Sequence, residues 1–280
     1  MGILFALLPA ITWGSLVLVS VKLKGSPYQQ ALGTTIGALI FSIVIFLFKR
    51  PELTSVVWGV SIVSGILWTI GQMNQFASVR HLGVSMAVPM STGMQLFCTT
   101  LIGVIVFREW TTISVILIGS LAIICIIAGV VFTSIGQQSQ NGEEKSIKKG
   151  IVILLISTVG YVGYVVLIRW FNIDGWSAVF PQSVGMVLAA IALTAKHQPI
   201  SKYTLRNLIS GIWWAIGNLG LLLAIPLIGV AVSFSMAQTG IVLSTLGGIY
   251  LLKEKVSKKS LVILGCLLII AGGVLLGITK

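Results

Sequence analysis

The sequence predicts an all-α membrane protein of ten transmembrane helices, arranged as two inverted repeats of five helices each. Three observations predict it: a composition that no water-soluble fold can hide, ten apolar stretches of membrane-crossing length, and a motif that recurs in the second half of the chain. Apolar residues make up 56% of the 280 residues and charged residues 9%, with a mean hydropathy of +1.07. Soluble domains carry about 25% charged residues. In lipid a backbone must satisfy its polar groups within its own segment, and about 20 apolar residues reach across the hydrocarbon core as a helix. Helical spans follow.

Charges, prolines and polar clusters divide the chain into spans at residues 2–21, 30–48, 56–77, 84–106, 113–134, 150–168, 176–195, 206–224, 230–252 and 260–278. The first has no basic n-region and no small-residue cleavage signal before Lys22, so it reads as a retained helix. The second holds Gly33 and Gly37 in a GxxxG pattern, the mark of a close crossing or a dimer contact. On the third, Trp68, Gln72 and Gln75 follow i, i+4, i+7 spacing and share one face, with Asn74 beside it. The fourth contains Pro89 and a stripe of Ser91, Thr92, Gln95 and Thr99. A polar segment, residues 136–149, separates the fifth span from the sixth and divides the chain into a first repeat (1–135), a linker and a second repeat (150–280). Tyr161 and Tyr164 lie on the sixth span, Gln182 on the seventh, Trp214 and Asn218 on the eighth, and Gln238 on the ninth, where Gly247 and Gly248 permit close approach or a kink.

The repeat is visible residue by residue. Ser64-Gly65-Ile66-Leu67-Trp68-Thr69-Ile70-Gly71-Gln72 matches Ser210-Gly211-Ile212-Trp213-Trp214-Ala215-Ile216-Gly217-Asn218 at six of nine positions, at a separation of 146 residues. The same offset aligns Gly83-Val84 with Gly229-Val230, and Thr12 and Gly14 with Thr158 and Gly160. Five helices per half is an odd number, so the second half enters the membrane with the opposite orientation. Many secondary transporters share that plan, with the substrate site near the midplane between the repeats.

Charge describes orientation rather than ligand. The formal charge of +12 arises from 18 Lys and Arg against six acids, but the basic residues sit in short clusters between apolar runs, where loops meet anionic headgroups, so a nucleic-acid partner is excluded and a lipid bilayer is implied. The loops that follow odd-numbered spans hold 13 Lys and Arg and the opposite side five, which places both termini outside the cytoplasm. Cys98, Cys125 and Cys266 lie in apolar runs without metal-ligand or disulfide spacing.

An enzyme is not expected, since no HExxH, GxSxG, P-loop, GxGxxG or pair of intramembrane aspartates occurs; neither a cofactor nor a metal is implied. What the spans offer is neutral amides and hydroxyls beside aromatics. Two uses compete: hydrogen bonds that glue helices together, and the lining of a polar cavity. Taken as a set that recurs by symmetry, the amides favour the cavity. Amides and hydroxyls donate and accept at once, which suits the hydroxyls of a sugar, while indole faces suit its C–H surface. No Lys or Arg sits mid-span, as an anionic substrate would require, so a small neutral sugar fits best. Glu109 and Glu254 end the fourth and ninth spans beside Arg108, Lys253 and Lys255, either as helix-end ion pairs or as proton-coupling groups; Asp174 and His81 are weaker candidates.

Thr12-Trp13-Gly14, the Trp68–Gln72 segment, and above all Gly83-Val84-Ser85-Met86-Ala87-Val88-Pro89-Met90-Ser91-Thr92-Gly93-Met94-Gln95-Leu96 followed by Phe107-Arg108-Glu109-Trp110 resemble the glucose uptake proteins of Gram-positive bacteria. These belong to the glucose/ribose porter family of the drug/metabolite transporter superfamily. The resemblance runs end to end. It implies the drug/metabolite transporter fold, uptake of glucose or ribose across the bacterial plasma membrane, and proton symport, with helices 5 and 10 peripheral or at a homodimer interface. The expected sugar ligands are Trp13, Trp68, Gln72, Gln75, Gln95, Tyr161, Gln182, Trp214, Asn218 and Gln238. An exporter of the same fold and a non-transporting membrane sensor stand as alternatives.

Overall fold

Helix follows most of the apolar stretches closely. The computed structural model describes residues 2–106, 110, 112–135, 144–228, 236–237 and 239–278. Its helices are α1 (Gly2–Leu23), α2 (Pro27–Lys49), α3 (Ser55–Leu82), α4 (Val84–Ile105), α5 (Ile113–Ile135), α6 (Glu144–Trp170), α7 (Gly175–Thr194), a short α8 (Lys202–Arg206), α9 (Leu208–Ile228), α10 (Ile241–Leu246) and α11 (Lys259–Ile278), with no strand among the described residues. Among the described residues, seven are long and apolar enough to cross a membrane.

Local chemistry sets several boundaries. Ser26 and Gln29 form a reciprocal capping box at the start of α2, with Pro27 in the first helical position, where its missing N–H is not needed. Asp174 accepts the Ser177 N–H at 3.1 Å and caps α7, which assigns this acid to a helix end. α6 begins at Glu144, inside the segment read as linker.

The ninth expected span departs from a single helix. Residues 229–235 and Gln238 lie outside the described residues; after a turn at Thr239 and Gly240 comes α10, six residues long, and then one π-helical turn at Gly247–Leu251. The adjacent glycines Gly247 and Gly248 weaken the regular ladder at that step, and the chain closes with Leu252 N–H on Gly247 C=O at 3.0 Å and Glu254 N–H on Gly248 C=O at 3.1 Å.

Two compact units form, each drawing chain from both sequence halves. The first comprises Met1–Leu18, Ser78–Leu155 and Gly217–Lys280; the second comprises Val19–Ala77 and Ile156–Ile216. In the first, Leu82, Met86, Ala87, Met90 and Leu154 make one buried cluster and Leu96, Ile126, Ile241, Cys266 and Ile269 another. α5 and α11 cross at Gly129 and Gly265, where a methyl on either residue would lie 2.6 Å from the other's carbonyl oxygen. The contact is reciprocal.

The second unit is built from one junction used twice. A methyl on Gly37 of α2 would collide with the Leu208 carbonyl of α9, and one on Gly185 of α7 with the Ile62 carbonyl of α3. In the same way Gly211 is closed off by Thr34 and Gly65 by Gln182. The α3 and α9 members of these pairs differ by 146 positions and the α2 and α7 members by 148. Gly33 also abuts Thr204 and Asn207, so the GxxxG pattern serves a crossing within the chain.

Candidate functional site

The polar groups of the third span meet those of the sixth inside the second unit. Gln72 and Gln75 lie about one helical turn apart on α3, and Gln72 Nε2 donates to Gln75 Oε1 at 3.3 Å. From α6 the Tyr161 hydroxyl reaches both amide oxygens, at 2.8 Å from Gln72 Oε1 and 3.2 Å from Gln75 Oε1. With one proton to give, it serves the nearer oxygen first. Tyr161 stands there because Gly71 and Gly160 let the two helices touch: a methyl on Gly71 would lie 3.0 Å from the Tyr161 ring, and one on Gly160 2.6 Å from the Gly71 nitrogen. Ser157 tightens the same crossing by donating to Gly71 C=O at 2.7 Å.

Indoles frame this triad. Trp68, one turn before Gln72, stands edge-on to Tyr161 at 6.4 Å and packs on Trp214 of α9 at 4.9 Å between ring centroids. Burial is nearly complete, with Gln72 2% exposed and Trp68 1%. Buried amides must be hydrogen-bonded, since an unpaired one loses its full hydration. Here each is held by the others.

Of the sequence-derived candidates, the structure thus brings together Trp68, Gln72, Gln75, Tyr161 and Trp214. Gln182 does not join them: its Nε2 donates to Ser64 Oγ at 2.9 Å, and Ser64 donates to Tyr164 C=O at 3.1 Å. Two helical turns along α3 separate Ser64 from Gln72, about 12 Å. Asn74 bonds back to Ile70 C=O at 2.8 Å within its own helix.

Three candidates belong to the first unit. Gln95 of α4 is half-buried and donates to Ser91 Oγ at 3.0 Å. Trp13 of α1 is half-buried against Gly217, where a methyl would lie 2.7 Å from its Nε1, and Asn218 follows on α9. Thr12 and Trp13 of α1 close off Gly217 of α9, so a glycine of the repeated motif again admits a neighbouring helix. Gln238 and Glu109 lie outside the described residues. Glu254 accepts the backbone N–H groups of Val84 and Ser85 at the start of α4.

Residue-by-residue reading of the helix faces missed Ser64, Ser157 and the cluster in which Ser20 donates to Ser210, Ser210 to Asn207 and Gln30 to the Ser20 carbonyl. A signal was present for two of them, since Ser64 and Ser210 open the repeated motif. Among the described residues no group of three His, Cys, Asp or Glu could hold a metal. Chemically, the triad and its indoles place neutral donors and acceptors beside aromatic rings.

Comparison with known proteins agrees in kind. The profile of a family described as "Sugar transport protein" matches residues 4–279. "Glucose uptake protein GlcU" of Bacillus subtilis (strain 168) is 53% identical over 284 residues, covering 100% of this chain and 99% of its own. "Probable glucose uptake protein GlcU" of Bacillus anthracis is 55% identical over 284 residues, with 100% of both chains covered. A solved crystal structure superposes with a TM-score of 0.65 over 98% of this chain and 96% of its own at 17% identity, a likeness of fold.

Proposed function

Because the chain belongs to the sugar transport protein family, we propose that it imports a monosaccharide, glucose foremost and ribose next, by alternating access. It is a multi-pass plasma-membrane protein and a sugar uptake transporter rather than an enzyme. The observation that carries the finer reading is the buried Gln72–Gln75–Tyr161 triad beside the Trp68–Trp214 pair. Its glutamines lie in the second half of α3, just past Trp68 at the midpoint, and it offers what a neutral polyol needs: donors and acceptors beside indole faces. Trp13, Gln95, Asn218 and Gln238 are proposed as further sugar ligands, and Gln182 holds α7 to α3.

Ten membrane-crossing helices in two inverted repeats, residues 1–135 and 150–280, form the proposed scaffold. Supporting it, the α2–α9 and α7–α3 junctions use matching glycines, and Trp68 and Trp214, matched in the repeat, touch each other. Residues exchanged by a twofold rotation meet only near its axis. Proton symport is the proposed energy source, with Glu109 and Glu254 as the acidic candidates.

The test is uptake of glucose into proteoliposomes with and without an inward proton gradient. Saturable uptake that concentrates glucose only with the gradient supports symport; equilibrating uptake indifferent to it leaves a uniporter; no uptake of glucose or ribose rejects the import reading.

A further inference from the structure

The first two backbone N–H groups of α4 are capped from a distant part of the chain. Gly83, at the N-cap, has φ 72 and no side chain to offer. In its place the Glu254 carboxylate accepts Val84 N–H through Oε1 at 2.6 Å and Ser85 N–H through Oε2 at 2.9 Å. A helix N-terminus presents unpaired donors and partial positive charge, so a carboxylate there forms short, charge-assisted bonds. Glycines on both sides make the room: a methyl on Gly83 would lie 3.0 Å from the carboxylate carbon, and one on Gly248 2.6 Å from Oε2.

The carboxylate arrives on irregular backbone. Glu254 follows the π-helical turn Gly247–Leu251 and then Lys253, a non-glycine residue in the left-handed region at φ 55. π-turns and left-handed non-glycine residues cluster at functional sites and switch points. Lys253 and Lys255 flank the acid, so without the carboxylate a basic segment would face the positive end of α4.

We propose that Glu254 is a releasable clasp: a positioning residue that ties α4 to the α10–α11 connection in this conformation and lets go during the transport cycle. Ser91 and Gln95 ride on α4, so the clasp sets where these groups stand. The proposal rests on the carrier reading in one respect, that release is coupled to sugar movement. A permanent staple would give the same static geometry but would stay closed during turnover.

Amide hydrogen exchange at Val84 and Ser85, on full-length protein in lipid nanodiscs with and without saturating glucose, separates the two, alongside uptake by Glu254→Gln and Glu254→Asp in liposomes. A clasp predicts that glucose speeds exchange at these amides at least threefold while α5 amides hold steady. Glu254→Gln should speed it tenfold or more without sugar and alter Vmax at least fivefold with KM within twofold, and the shorter but charged Glu254→Asp should recover part of both. Exchange unmoved by glucose in protein that transports it, or wild-type Vmax in Glu254→Gln, would overturn the clasp. Should Glu254→Gln fail to reach the membrane, Gly248→Ala, whose methyl would lie 2.6 Å from Glu254 Oε2 and displace it, carries the same two expectations. Wild-type protein that takes up neither glucose nor ribose sinks the carrier reading instead; exchange equal in wild type and Glu254→Gln then overturns the clasp on its own.

Discussion

Trp68 and Trp214, 146 positions apart in the chain, pack with their ring centroids 4.9 Å apart and their planes tilted by 55°. Each is the tryptophan of its own copy of the repeated motif, and each stands one helical turn before an amide, Gln72 or Asn218. Trp68→Phe and Trp214→Phe keep an aromatic face but lose indole area, and each is expected to lower glucose uptake at least threefold in proteoliposomes. Trp68→Ala is expected to cost about 3–5 kcal/mol of stability, because it empties a fully buried site, and to appear as a large loss of purified yield. Wild-type KM and Vmax in both Phe variants would remove the indole pair from the sugar's path.

Tyr161 of α6 donates its hydroxyl to the Gln72 amide oxygen at 2.8 Å. Tyr161→Phe keeps the ring and its packing while stranding the Gln72 oxygen, a loss of about 1 kcal/mol for the hydrogen bond. The expected outcome is a five- to tenfold rise in KM with membrane levels unchanged on immunoblots, and a larger rise for Gln72→Ala. An unaltered KM in both variants would show that sugar does not meet this triad.

Gln182 is expected to behave differently. Its amide holds Ser64 at 2.9 Å, so Gln182→Ala should lower the melting midpoint in detergent through a loss of about 1–3 kcal/mol while leaving KM within twofold of wild type. A tenfold KM change without a thermal shift would place Gln182 on the sugar after all.

The paired junctions make a contrast within one residue type. Gly37→Ala and Gly185→Ala drive a methyl into the backbone carbonyls of Leu208 and Ile62, and both are expected to abolish stable expression. Gly59→Ala, where a methyl meets nothing within 4 Å, should express at or above the wild-type level, since alanine favours helix over glycine by up to about 1 kcal/mol. Fluorescence-detected size exclusion of solubilised membranes reads all three.

Much of this was legible in the sequence because it depends on periodicity. The i, i+4, i+7 spacing of Trp68, Gln72 and Gln75 holds in α3, and the motif shared with Trp214 identified a residue that touches Trp68. What periodicity cannot show is which face meets which neighbour. Gln182 and Gln72 are chemically alike, yet one holds Ser64 and the other Tyr161, a difference set by the glycine crossings of α3 with α7 and with α6. The break at Gly247–Leu251 was readable only as permission to kink. The role of Glu254 was hidden for another reason: its partners are backbone N–H groups about 170 residues away, and a backbone donor has no sequence signature.

The triad of Gln72, Gln75 and Tyr161 has a consequence for stereochemistry. A carboxamide that rotates by half a turn exchanges donor for acceptor, and a phenol hydroxyl can do either, so three such groups linked in series can reverse the direction of their protons together. A hydroxyl pointing axially or equatorially could then be met by the same side chains with opposite polarity. Epimers, which share one carbon skeleton and differ in the direction of a single hydroxyl, would then be told apart poorly by this triad, and a single carrier would accept a hexose and a pentose yet refuse an apolar solute of equal size.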